Sequence, residues 1–70
     1  PTYYRIKPTT AGTRVITADK PTAQIEVYDE NGNLLVESGN EPSVSFNANT
    51  SLYYICVLGD FQITLTITKT

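Results

Sequence analysis

Apolar and polar residues alternate along most of the chain with the period of β-strands. The clearest case is segment 61–68, where Phe61 and the odd positions after it are apolar and the even positions carry Gln62 and threonines. A period of two places the two sets on opposite faces of a strand. The preceding run, 52–58, is apolar at both parities, which is typical of a strand covered on both faces. Because Gly59-Asp60 between them favours a tight hairpin, we expect these two strands to pair antiparallel.

The same reasoning predicts five earlier strands, at 2–7, 13–18, 24–28, 34–37 and 42–46. Tyr4 and Ile6 should face inward in the first of these strands, and Val44 and Phe46 in the last.

Residues 29–33 separate the third and fourth strands, and they contain Asn31-Gly32. This dipeptide predicts a hairpin whose turn has positive φ at both central residues. No segment has apolar residues at helical spacing, so we expect no helix longer than one turn.

These elements predict an all-β chain, folded as one domain over residues 1–70. The expected architecture is a small antiparallel β-sandwich, jelly-roll or immunoglobulin-like, of about seven short strands. Tyr54-Ile55-Cys56 looks like the Tyr-x-Cys of the penultimate strand in immunoglobulin domains. The partner cysteine and the tryptophan of that pattern are absent, so Cys56 is predicted to be a small apolar residue that is buried or half-buried.

Composition excludes several classes of function. The net charge is −2, and the five Lys and Arg residues are scattered, which argues against nucleic-acid binding. No apolar run approaches the roughly 20 residues of a membrane-spanning helix. With one cysteine and no histidine, the chain lacks the ligands of the common zinc sites and cannot form a Cys–His pair. We therefore expect no catalysis and no cofactor. Pro1-Thr2, in a chain without Met, fits either a removed signal peptide or a trimmed initiator.

Segment 29–33, Asp-Glu-Asn-Gly-Asn, offers several oxygen ligands of the kind that Ca²⁺ prefers. It lacks the glycine position, the closing glutamate and the flanking helices of the common calcium loop. An ordinary turn explains the same residues, so we predict no metal site. Asn49-Thr50-Ser51 matches the N-glycosylation acceptor, which matters only in a eukaryotic secretory protein.

Five tyrosines stand at or near predicted strands: Tyr3, Tyr4, Tyr28, Tyr53 and Tyr54. Ordinary packing in the core and at its rim is one explanation for them. In the strand at 52–58, the parity of Tyr53 can fill the core, whereas the parity of Tyr54 and Leu58 lacks an obvious covering layer. Tyrosine-rich apolar patches mark contact surfaces. We therefore hypothesise that Tyr54 and Leu58, with Tyr3 and Tyr28, form a face for partner binding or self-association.

Four segments, 25–35, 44–48, 53–57 and 63–67, follow the order strand, Tyr-Asp-x-x-Gly, strand, Phe-x-Ala, Tyr-Tyr-Ile-x-Val, closing strand. In this order, residues 23–68 resemble the bacterial pre-peptidase C-terminal domain. The resemblance implies a compact β-sandwich of the kind appended to secreted proteases and related to collagen-binding modules. Residues 1–22 have no counterpart of that family's calcium ligands, so calcium dependence is not implied.

Together these features favour a non-catalytic module that docks onto a larger protein assembly, for example as a decoration or accessory subunit of a virion. Self-assembly is part of this expectation. The alternative is an extracellular accessory module that binds carbohydrate or protein. Either reading favours a virion or an extracellular surface over a cytoplasmic enzyme.

Overall fold

The structure, a computed structural model, describes residues 1–59 and 62–70, and these form seven β-strands and no helix. The strands are β1 (Thr2–Ile6), β2 (Gly12–Ala18), β3 (Gln24–Tyr28), β4 (Leu34–Glu37), β5 (Ser43–Ala48), β6 (Tyr53–Leu58) and β7 (Leu65–Lys69). Each coincides within a few residues with a strand that the alternation predicts. The all-β class and the number of strands are confirmed.

The strands form two antiparallel sheets, so the molecule is a small β-sandwich. One sheet has four strands in the order β1-β6-β3-β4, and the other has three in the order β5-β2-β7. Among the strands of the described residues, only β3 and β4 are consecutive and also pair with each other. Every other connection carries the chain from one sheet to the other.

Four of the strands, β2, β3, β5 and β6, have the neighbours found in immunoglobulin domains. In those domains strand B lies beside E and strand C lies beside F. Here β2 lies beside β5 and β3 lies beside β6, in the matching order along the chain. The outer strands are exchanged, because β7 takes the place of the first strand beside B and β1 takes the place of the last strand beside F.

The core lies between the two sheets and is built from the inward parity of each strand. Ile16 of β2, Ile25 and Val27 of β3, and Ile55 of β6 are the largest fully buried side chains. The inward positions predicted for Val44 and Phe46 are confirmed. Because the core draws on both sheets, burying these side chains is what holds the sheets together.

The predicted pairing of the last two strands is wrong. β6 pairs with β1 on one edge and with β3 on the other, so neither of its edges is left for β7. β7 instead pairs with β2, with Ile67 opposite Ile16. The predicted Gly59-Asp60 hairpin turn and the inward Phe61 involve residues 60 and 61, which lie outside the described residues.

Two residues of inward parity are more exposed than the alternation predicts. Tyr4 in β1 is 38% exposed and Ile67 in β7 is 40% exposed. Both strands are at the edge of their sheet, where fewer neighbours cover the inner face. Ile6 is partly buried against the core, as expected, and Thr64, Thr66 and Thr68 are exposed.

The predicted β3–β4 hairpin is confirmed, but its turn differs from the expected one. Gly32 has φ +85°, and no non-glycine residue in the described part of the chain has positive φ, Asn31 included. The Gly32 N–H donates to the Asp29 carbonyl over 3.0 Å, and the Asp29 N–H donates to the Asn33 carbonyl over 2.9 Å. The loop is therefore longer than two residues, with glycine alone in the left-handed region.

Asp19 connects the β2–β3 loop to the approach to β7. Its carboxylate accepts the Thr64 N–H at 2.8 Å, and its own N–H donates to the Thr64 carbonyl at 3.1 Å. These bonds lower the pKa of the Asp19 carboxyl, chiefly through the Thr64 N–H. No helix long and apolar enough to cross a membrane occurs in the ranges 1–59 and 62–70.

Candidate functional site

All four residues predicted to form a contact surface lie on the outer face of the four-stranded sheet. Tyr54 and Leu58 have the outward parity of β6, because Tyr53, Ile55 and Val57 of the same strand are buried in the core. Tyr3 is paired with Cys56, and Tyr28 with Tyr54. Directly opposed residues share a face. We call the surface of Tyr3, Tyr28, Tyr54 and Leu58 the tyrosine face.

Strand register arranges this face in rows that run across the sheet. One row contains Arg5, Tyr54 and Tyr28, and the next contains Tyr3, Cys56, Glu26 and Glu37. Directly opposed side chains have Cβ atoms about 4.5–5.5 Å apart, so members of a row are close enough to interact. The three tyrosines come from three different strands, and only the pairing of β1 and β3 with β6 brings them together.

The tyrosine face covers Cys56. The thiol belongs to the outward parity, yet Cys56 is only 5% exposed. Tyr3, which is opposite it, is 71% exposed, and Tyr54, Tyr28 and Leu58 are half-buried. The prediction of a small buried cysteine is confirmed, with the difference that Cys56 is buried on the outer face rather than in the core. It therefore cannot point towards β2, as an inter-sheet disulfide would require.

Two carboxylates are directly opposite each other on the same face. Glu26 of β3 pairs with Glu37 of β4, an arrangement that costs stability because like charges repel. The Tyr28 hydroxyl donates to Glu26 Oε1 at 3.0 Å and offsets part of this repulsion. This hydrogen bond is the main reason why the pKa of Tyr28 is raised, since ionisation would place a second negative charge beside Glu26.

The pKa of Tyr3 is raised as well, first by the neighbouring Cys56 and, to a smaller extent, by Glu26. The hydroxyls of Tyr3 and Tyr28 therefore stay protonated and can donate hydrogen bonds throughout the physiological pH range. A surface of this kind offers apolar ring area together with donors, which is the chemistry of protein contact surfaces.

In the oxygen-rich turn at 29–33, the Asp29 carboxylate accepts hydrogen bonds from other residues of the same turn. Asp29 Oδ1 accepts the N–H groups of Asn31 and Asn33, both at 2.9 Å, and Oδ2 accepts the Asn33 side-chain amide at 3.2 Å. These bonds, led by the Asn33 N–H, lower the pKa of the Asp29 carboxyl. In the described part of the chain, no three His, Cys, Asp or Glu residues lie close enough to hold a metal ion.

An open cleft of about 370 Å³ lies at one end of the sandwich, between the β3–β4 turn and the β5–β6 loop. Amide, carboxyl and hydroxyl groups line it, together with the apolar side chains of Leu35 and Leu52. Its lining includes Asn49, the predicted glycosylation acceptor, whose side-chain oxygen accepts the Ser51 N–H at 2.7 Å. The sequence did not predict this cleft, because its two walls are far apart along the chain.

Sequence reasoning also missed two buried polar features. Tyr53 accepts the Asn49 N–H on its hydroxyl at 2.8 Å, four residues upstream at the corner between β5 and β6. The bond resembles the tyrosine corner of immunoglobulin domains, although Tyr53 makes it here rather than Tyr54 of the Tyr-x-Cys motif. Arg14 is 9% exposed and donates to the carbonyls of Gly12 and Thr10. The parity of Tyr53 already indicated a core position, but nothing in the sequence indicates its hydrogen bond to Asn49 or the burial of Arg14.

Comparison with known proteins adds nothing to this geometry. No family model, curated protein or solved structure matches the chain.

Proposed function

We propose that this chain is a non-catalytic contact module that docks onto a protein assembly through the tyrosine face. The observation that supports the proposal is the convergence of Tyr3, Tyr28 and Tyr54, from three strands, on one face. Tyrosine gives large contact area at low cost in side-chain entropy, and its hydroxyl can bond to polar groups of a partner. An accessory or decoration subunit of a larger particle is the kind of protein that uses such a face.

Site-specific photo-crosslinking in the native host tests the proposal. A benzophenone amino acid at position 54 should give covalent adducts, which mass spectrometry identifies. The matched control is the same amino acid at Ser45, an exposed position of β5 in the other sheet. Adducts from position 54 and not from position 45 support docking by the tyrosine face. Equal yields, or no adducts from either position, would contradict it.

The double variant Tyr54→Ala/Leu58→Asp provides an independent test. Both side chains are half-buried on the outer face, so the core between the sheets stays intact. We expect the variant to keep the far-ultraviolet circular dichroism spectrum of the wild type and to lose the contacts detected by crosslinking from Tyr3. Loss of the folded monomer would mean that this face contributes mainly to stability.

A second candidate function, binding of carbohydrate, is favoured by the polar cleft at the end of the sandwich. Its volume of about 370 Å³ is at the lower end of the size of small-ligand sites, roughly 300–1,000 Å³. Asn31, Asn47 and Leu35 all line the cleft, so it offers amides and an apolar side chain, a combination suited to the hydroxyls and the apolar face of a sugar ring.

Nuclear magnetic resonance titration with a panel of oligosaccharides tests the second candidate. Shifts should concentrate on residues that line the cleft, and Asn31→Ala should weaken them. Asn40→Ala, which removes an exposed amide from the β4–β5 loop, is the control. If the two variants bind equally well, or if no sugar shifts these residues, the cleft is not a sugar site.

A further inference from the structure

The tyrosine face carries opposite charges on its two sides. Arg5 lies at the β1 side, where it is exposed and paired with Tyr54, and Lys7 follows directly after the strand. Glu26 and Glu37 lie on β3 and β4. With neighbouring strands about 4.8 Å apart, the Arg5 and Glu37 columns are separated by roughly 14 Å. Between them lie Tyr54 and Leu58 of β6 and Tyr28 of β3.

Such a face is complementary to itself. If two copies meet face to face around a two-fold axis that runs parallel to β6, then β1 of each copy lies over β3 and β4 of the other. This axis preserves position along the strands, so each Arg5 lies one row, roughly 7 Å, from the paired carboxylates of the opposite copy, within reach of its long side chain. Symmetry produces this contact twice. We propose that the partner of the tyrosine face is a second copy of this chain, joined in an isologous dimer. This inference rests on the proposed function and specifies its partner.

The charges within a single copy favour a partner that places a positively charged group over Glu26 and Glu37. Glu26 and Glu37 repel each other across β3 and β4, and within the sheet only the Tyr28 hydroxyl compensates Glu26. A guanidinium brought over this pair relieves the repulsion. A face that carried one sign of charge throughout would instead reject a second copy, because like-charge juxtaposition costs several kcal/mol.

Area limits the strength of the dimer. Four strands of about five residues form a face of roughly 19 by 17 Å, an area of about 320 Å². This area is well below the ~800 Å² that each partner buries in a standard interface. We therefore expect a weak dimer. Because Arg5, Glu37 and their surroundings are exposed, raising the salt concentration should weaken the dimer further.

Reversing one charge at a time, and then mixing the variants, tests the symmetry directly. In homodimers of Arg5→Glu, glutamate would approach Glu26 and Glu37; in homodimers of Glu37→Lys, lysine would approach Arg5. Each variant alone should dimerise at least about tenfold more weakly than the wild type. In the mixed dimer, both contacts again join opposite charges. Sedimentation equilibrium of the mixture should restore an affinity within about threefold of the wild type.

Glu41→Lys makes the same change of charge in the β4–β5 loop, away from the face, and should leave dimerisation unchanged. The proposal is overturned if wild-type protein remains monomeric at millimolar concentration, or if the mixture associates no better than each variant alone. Crosslinking from position 54 separates this failure from failure of the docking role. If the chain stays monomeric but gives adducts with a different protein, the proposed dimer is wrong and the proposed contact function still holds. A monomer without adducts would overturn both.

Discussion

Single side chains hold together the corners of this sandwich, and the Tyr53 hydroxyl is the clearest example. Tyr53 is 4% exposed, and its hydroxyl accepts the Asn49 N–H. Its ring packs edge-on against Phe46, with the two ring centroids 5.2 Å apart. The side chain therefore links the start of β6 to the loop that precedes it.

We expect Tyr53→Phe to destabilise the fold by about 1–2 kcal/mol, because the Asn49 N–H loses its partner while the ring contacts remain. In a domain of this size, such a loss lowers Tm by several degrees, about 4–8 °C per kcal/mol. Urea unfolding measures it. Tyr4→Phe, at a half-exposed ring on the edge strand, is the control and should change stability by less than about 0.5 kcal/mol. Equal effects of the two variants would mean that the corner bond contributes nothing.

The β3–β4 turn depends on the charge of Asp29, which gives it a defined pH dependence. Folding lowers the pKa of this carboxyl below its ordinary value of 3.8. The stabilisation is therefore present above that value and is lost as the pH falls through the folded-state pKa. Asp29→Asn keeps an oxygen acceptor and removes the titration. We expect the variant to melt at a lower temperature than the wild type at pH 7 and the difference to close towards pH 2.

Thermal melts between pH 7 and pH 2 follow this difference. Glu30→Gln removes the neighbouring, exposed carboxylate and is the matched control, for which no closing difference is expected. If the difference in Tm between Asp29→Asn and wild type stays constant over this range, the charge of Asp29 does not stabilise the turn.

At the scale of elements, the structure depends on how the chain leaves β6 and crosses to the other sheet. Gly59 lies close to Ile63 there: a Cβ at residue 59 would be 2.8 Å from Ile63 Cδ1. That distance is too short for a real contact, although the obstructing atom is the flexible end of a side chain. The crossing therefore allows only a very small residue at position 59 while Ile63 packs against the core.

We expect Gly59→Ala to destabilise the wild type by about 1 kcal/mol through overpacking. In an Ile63→Val background the obstructing methyl group is gone. There the same substitution should be neutral, or stabilising by about 0.4–1 kcal/mol, because alanine lowers the entropy of the unfolded chain. Denaturant unfolding of the four proteins gives the coupling energy. Additive effects in this double-mutant cycle would mean that residues 59 and 63 do not touch.

The same crossing shows what sequence alone can and cannot predict. The hydrophobic pattern located all seven strands. Alternation assigned Val44 and Phe46 to the core, because burial of one face leaves a period of two in a half-buried strand. It also separated Tyr53 from Tyr54 and so led to the tyrosine face. Alternation does not specify which strands are neighbours, and a nearby glycine suggested a hairpin where the chain changes sheet. The charge pattern of Arg5, Glu26 and Glu37 depends on strand order and became visible only in the folded chain.

At the scale of the molecule, the pairing pattern is dominated by long-range contacts. Among the pairings of the described strands, only β3–β4 joins strands that follow each other, whereas β1 and β6 lie at nearly opposite ends of the chain. Closing such distant pairs costs chain entropy before packing compensates for it, so folding should take milliseconds to seconds rather than microseconds. The tyrosine face forms only when both ends of the chain are in place.

Amide hydrogen exchange should show β1 and β7 as the least protected strands. Each is a terminal strand that pairs along one edge, and the side chains of each are mostly exposed. Strands β3 and β6 each pair on both edges and bury their inner residues, so their amides should exchange only through opening of the whole sandwich. Dimerisation through the tyrosine face would cover Tyr3 and Arg5, so protection of β1 should rise with protein concentration while that of β7 stays constant. If β1 and β7 respond alike to concentration, the second copy does not bind over β1.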